Sequence, residues 1–65
     1  MKKYTNPAME SVIDDYIHSE RDRMILKRKL VDGITYERLA EDFKLDDSTV
    51  KRIVGRHMKT ISEHL

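Results

Sequence analysis

Apolar residues recur along the chain at the three-and-four spacing of helices, in four runs separated by short polar breaks. In the first run Met9, Val12, Ile13, Tyr16 and Ile17 fall on one face. Asn6-Pro7 ahead of them reads as a cap followed by proline at the first helical position, where a missing N–H costs nothing. This helix is expected to end near His18, because Ser19 with Asp22 three residues on has the form of a capping box, with Asp for the usual Glu. A second helix follows, with Met24, Ile25, Leu30 and Val31 as its expected buried set, and Gly33 after Asp32 stops it. Thr35 is the expected cap of a short third helix that turns Tyr36, Leu39, Ala40 and Phe43 inward. The turn Lys44-Leu45-Asp46 leads into a fourth helix running to the end of the chain. No alternating β-branched run reaches four residues, so no strand is predicted. The predicted class is all-α: an N-terminal tail over 1–6, then a single four-helix domain over 7–65 whose last helix is long.

Composition narrows the picture only a little. A chain of 65 residues is near the lower limit at which one core sustains itself, and without cysteine there is no disulfide or thiolate metal site to assist it. No stretch approaches the ~20 apolar residues that span a bilayer. The amino terminus "MKKYTNPAMESV" has no apolar run behind its lysines, so it does not read as a secretory signal. No membrane partner and a cytoplasmic location are the expectations. The net charge of +1 points to no partner, but its distribution does. Residues 33–50 carry two basic and five acidic side chains, whereas residues 51–65 carry four basic and one acidic. Positive charge gathers at the carboxyl end, as it does in chains that meet a polyanion.

Projecting the last helix at ~100° per residue separates two faces. Val50, Ile53, Val54, Met58, Ile61 and Leu65 cluster on one, while Ser48, Thr49, Arg52, Arg56 and Lys59 cluster on the other, with Lys51 and Gly55 at the margin. Together with the preceding helix this suits a helix-turn-helix over 35–64, in which steeply crossing helices need a small residue where they touch. Ala40 is that residue; Leu39 and Phe43 flank it, Leu45 plugs the turn, and Val50 and Ile53 face inward from the second helix. The first turn residue is usually glycine because the backbone there is left-handed, and here it is Lys44.

The stretch "ERDRMILKRKLVDGITYERLAEDFKLDDSTVKRIV" resembles region 4 of bacterial sigma factors, especially the extracytoplasmic-function type. Asp32-Gly33, Thr35-Tyr36-Glu37, Leu39-Ala40-Glu41 and Thr49-Val50-Lys51 carry the likeness, and LuxR-type helix-turn-helix regulators share much of it. The resemblance spans about residues 20–61 and implies a bacterial or phage transcription regulator that binds double-stranded DNA. Nothing in the chain matches the promoter-melting region 2 of those factors, so a complete sigma factor is not expected.

On that basis the fourth helix enters the major groove. Ser48, Thr49 and Arg52 are placed for base edges, an arginine being able to bond guanine bidentately. Lys51, Arg56 and Lys59 would meet phosphates, as would Thr35 and Tyr36 at the start of the third helix, with Lys27 and Arg28 as further backbone contacts. Asp46 and Asp47 stand at the front of the same helix, where DNA would repel them. The first is expected to cap the free N–H groups and the second to complement the helix dipole. Gly55 interrupts the helix at a cost of ~1 kcal/mol against alanine, a cost that either allows close approach to a backbone or is simply tolerated.

Other chemistry finds little support. His18, His57 and His64 lack metal-ligand spacing, and His57, projecting among apolar residues, is expected to be hydrogen-bonded and partly buried. The acidic pairs Asp14-Asp15, Glu41-Asp42 and Asp46-Asp47 diverge by ~100° on a helix and so share no site. No enzyme activity, cofactor or metal is expected. A second function remains open, because sigma region 4 also binds RNA polymerase and anti-sigma factors. A protein-interaction module acting through the acidic stretch from Glu37 to Asp47 is the alternative, and the first helix is a candidate surface for a homodimer.

Overall fold

The computed structural model describes residues 7–65; the Asn6 cap and the tail over 1–6 lie outside them. Four helices follow in order: α1 (Pro7–Tyr16), α2 (Glu20–Leu26), α3 (Tyr36–Phe43) and α4 (Asp47–His64). Between α2 and α3 the chain continues through a π-helical turn, Lys27–Val31. The whole is an all-α domain built around one core. Met9, Val12, Ile13 and Ile17 enter it from α1 and the residue just beyond, Ile25 and Leu26 from α2, Leu39 and Ala40 from α3, and Val50, Ile53, Val54 and Ile61 from α4. At 1.5 Å per residue the 18 residues of α4 measure about 27 Å, comparable with the two longer dimensions of the molecule, 28 and 27 Å.

Helix ends follow local rules. Arg23 closes α1 from outside, its Nη1 donating to the carbonyls of Ile17 (2.9 Å) and His18 (3.3 Å), which lack helical partners. The Asp22 N–H donates to Ser19 Oγ (3.3 Å) and the Arg38 N–H to Thr35 Oγ1 (3.1 Å), so both expected caps form. At the end of α3 the Leu45 N–H donates to the Ala40 carbonyl (2.9 Å) and the Lys44 N–H to that of Glu41 (3.3 Å). This pair of bonds requires a left-handed residue between helix and turn. Lys44 supplies it at φ 57°, ψ 47°, at a cost of roughly 1–2 kcal/mol relative to glycine.

Four expected core positions lie outside. Tyr16 is 45% exposed and stacks on His64, with ring centroids 3.8 Å apart; Met24, Met58 and Leu65 are also exposed. Met24 gives way to Leu26 because α2 presents Ile25 and Leu26 to the core and leaves Met24 on the far side. Met58 sits at the edge of the α4 stripe, and Leu65 follows the last residue of the helix. Leu30, Val31, Tyr36, Phe43 and Leu45 pack against the core while partly exposed.

The π-helical turn has a cause in the spacing. Leu30 and Val31 follow Ile25 and Leu26 by five residues, which in a regular α-helix would rotate them by about 140° off the buried face. Widening the turn so that the Asp32 N–H donates to the Lys27 carbonyl (3.3 Å) returns them toward the core. Gly33 then reverses the chain at φ +75°.

Candidate nucleic-acid interface

The outward face of α4 carries a row of basic side chains. Val50, Ile53, Val54 and Ile61 fix the inner side of the helix, which leaves Ser48, Arg52, Arg56 and Lys59 exposed on the other and Thr49 half-buried beside them. Arg52, Arg56 and Lys59 stand at i, i+4 and i+7, a ridge about 10 Å long along the helix axis. Among the described residues none of the three is in an ion pair. Three cations in a row, none in an ion pair among the described residues, raise the local potential more than the net charge suggests.

Lys27 and Arg28 stand differently. Lys27 Nζ lies 2.8 Å from Asp14 Oδ1 on α1, and Arg28 Nη1 donates to Asp42 Oδ2 on α3 at 3.3 Å, with Arg38 also on Asp42. The Arg28 guanidinium lies 5.8 Å from the centre of the Phe43 ring. These exposed pairs add little stability, typically 0–1 kcal/mol each, but they spend the charge inside the molecule.

Thr35, Tyr36 and Lys51 come together around an open depression of about 340 Å³ that Glu37 and Asp47 also line. The Tyr36 ring carries the Lys29 ammonium 4.2 Å from its centre and that of Lys51 at 5.7 Å. Thr35 Oγ1 accepts from the Arg38 N–H and keeps its own proton for an outside acceptor. An anion here would meet the Thr35 hydroxyl and the Lys51 ammonium, with the carboxylates of Glu37 and Asp47 also in the lining.

Of the two aspartates at the front of α4, Asp46 acts otherwise than expected. Asp46 has the extended backbone of a cap (φ −81°, ψ 155°), and its carbonyl accepts from the Val50 N–H at 3.1 Å, yet its carboxylate makes no capping hydrogen bond. The side chain is exposed, and for such a group the net gain of a hydrogen bond over hydration is only about 1 kcal/mol. Asp47 occupies the first helical position, where a negative charge favours the helix dipole.

Sequence patterns also concealed a polar contact between helices. Asp22 is the one buried polar or charged residue among those described, at 5% exposure. Its Oδ2 lies 2.9 Å from His57 Nε2, while Arg21 Nε and Nη2 both donate to Oδ1 at 3.2 Å. Asp22 is thus not the returning acid of the capping box; its carboxylate faces α4. An ionised carboxylate only accepts, so the His57 ring holds a proton on Nε2. His57 is hydrogen-bonded and largely buried, as its place among apolar residues predicts.

Burial by itself would raise the Asp22 carboxyl, but hydrogen bonds from His57 and Arg21, with the positive charge they bring, outweigh it and hold the group below its ordinary value of 3.8. A depressed folded-state value means that the contribution is fully present above 3.8 and is lost as the pH falls through the folded value. In urea unfolding, the stability gap between the wild type and Asp22→Asn is therefore expected to close on acidification below 3.8. A gap that widens in acid would contradict this assignment.

No family model matches the chain, and neither a curated protein nor a solved structure matches it significantly. Among the described residues no helix is long and apolar enough to cross a membrane.

Proposed function

We propose that the chain is a small sequence-specific DNA-binding transcription regulator, in which α3 and α4 act as a helix-turn-helix and α4 lies in the major groove. The observation that carries this reading is the exposed ridge of Arg52, Arg56 and Lys59, free of ion pairs among the described residues, on the long last helix. The tight left-handed turn at Lys44 and the small Ala40 buried at the junction of α3 and α4 support the same reading. In this arrangement Ser48, Thr49 and Arg52 read base edges. Lys51, Arg56 and Lys59 neutralise phosphates, and Thr35 and Tyr36 bond one more. Useful affinity from so small a module calls for a dimer or a partner protein.

Selection of bound duplexes from a random pool tests the proposal, followed by titration of the enriched site at several salt concentrations. Three phosphate-neutralising cations predict a slope of about −3 in log affinity against log salt.

Gly55 offers a sharper test. It is exposed between Arg52 and Lys59, and a methyl group added there would meet nothing in the chain within 4 Å. The fold therefore does not require glycine at this position. Gly55→Ala is expected to stabilise the domain by about 1 kcal/mol, seen as a higher melting temperature, while weakening duplex binding through the added bulk on the ridge. Stabilisation with unchanged binding would place DNA elsewhere.

A protein-interaction module remains the second reading. Glu37, Glu41, Asp46 and Asp47 are exposed and, among the described residues, enter no ion pair. That acidic edge suits a basic partner, and the resemblance to sigma region 4 suggests RNA polymerase or a sigma or anti-sigma protein. Absence of salt-dependent DNA association at low ionic strength would favour this reading.

A further inference from the structure

The core side chains of α4 settle which of its faces points inward but set its exact rotation only coarsely. Val50, Ile53, Val54 and Ile61 make non-directional contacts, and a small turn of the helix about its axis, or a slide along it, exchanges one aliphatic contact for another. A hydrogen bond is different, since it weakens steeply with angle and distance. Asp22 Oδ1 is held by Arg21 from its own helix, so the carboxylate is oriented before α4 meets it, and Oδ2 is left to accept from His57. Any rotation that withdraws His57 Nε2 leaves Oδ2 of a carboxylate that is only 5% exposed without a partner, and a buried polar atom without a hydrogen bond is costly.

We propose that the Asp22–His57 bond is the positioning device that sets the rotation and axial register of α4, and thereby the direction in which Arg52, Arg56 and Lys59 point. His57 adjoins Arg56 in the chain and lies between Arg52 and Lys59 along the axis, so the anchor sits at mid-length behind the ridge it aims. Asp22 and His57 are positioning residues and touch no nucleic acid themselves. The consequence for recognition rests on the DNA-binding reading; the consequence for α4 in the free protein does not.

Replacing both partners by leucine separates positioning from stability. Apolar substitution of a buried ionic pair commonly preserves or raises stability, because no charge is left stranded. Asp22→Leu with His57→Leu is therefore expected to melt no lower than the wild type. Its amide resonances from Val50 to Ile61 are expected to broaden or double, and its discrimination between the selected duplex and a scrambled one to fall about tenfold, the equivalent of one base-edge contact. His57→Gln, whose amide can donate to the same carboxylate oxygen, is expected to restore a single sharp set of resonances that His57→Leu alone does not show. A double variant with one sharp set of α4 resonances would overturn the proposal. So would His57→Gln spectra as scattered as those of His57→Leu, a comparison that decides the matter should the double variant not fold. If the wild type binds no duplex, the DNA reading fails by itself, and the free-protein spectra still decide whether the pair positions α4.

Discussion

Replacing Arg52 and Arg56 together by alanine is expected to abolish duplex binding while leaving thermal unfolding nearly unchanged. Both side chains are exposed and, among the described residues, neither is held by an acid, so their removal breaks no internal contact of consequence. Surface changes of this kind usually fall within about 0.5 kcal/mol. The loss on DNA is of another order. A bidentate arginine–guanine pair contributes roughly 1–3 kcal/mol of discrimination, and each phosphate-neutralising cation adds about one unit to the salt slope. Losing one of each is expected to weaken the selected complex by 100-fold or so at moderate salt, enough to remove it from an ordinary titration. A mobility-shift titration beside a melting curve checks both halves. Retained binding by a folded double variant would remove the ridge from the interface.

The largest effect on stability is expected at Leu39. It is fully buried on α3, a helix of only eight residues that packs against α4 and the π-helical turn. Leucine-to-alanine changes in cores cost about 2–5 kcal/mol, while a core of this size seldom supplies more than about 3–5 kcal/mol in total. Leu39→Ala should therefore be largely unfolded at 25 °C by circular dichroism, with Leu39→Met, similar in volume, remaining folded. A well-folded alanine variant would mean that α3 is held by its caps more than by its packing.

The sequence was most legible where structure depends on near neighbours. Thr35 three residues before the N–H it caps, Gly33 at a positive φ and Lys44 in the left-handed turn are all local events, and α3, the turn and α4 follow from them. The basic face of α4 was equally accessible, because helical period alone places Arg52, Arg56 and Lys59 opposite Val50, Ile53 and Ile61. Contacts between distant elements were not. Nothing near Lys27 or Arg28 in the sequence indicates that Asp14 and Asp42 reach them.

Asp22 reads as part of a cap because the acid three residues after Ser19 is a local pattern, whereas its partner His57 is 35 residues away. Its place on the same face as Ile25 and Leu26 was the overlooked sign, since a charge among buried neighbours needs a partner. The five-residue interval between Ile25-Leu26 and Leu30-Val31 was a similar sign of the π-helical turn. Exposed Met58 shows the opposite limit: period places a residue on a face but cannot say how wide a strip of that face the other helices cover, for Ile61 three residues on is fully buried.

Amide chemical shifts of the protein, followed as a selected duplex is added, test the central claim most directly. Binding through the outer face of α4 predicts that Ser48, Thr49, Arg52, Gly55, Arg56 and Lys59 shift most, with smaller changes at Thr35 and Tyr36 and little at α1. Changes centred instead on α1, on the exposed acids Glu37 and Glu41, or nowhere in the protein would contradict it.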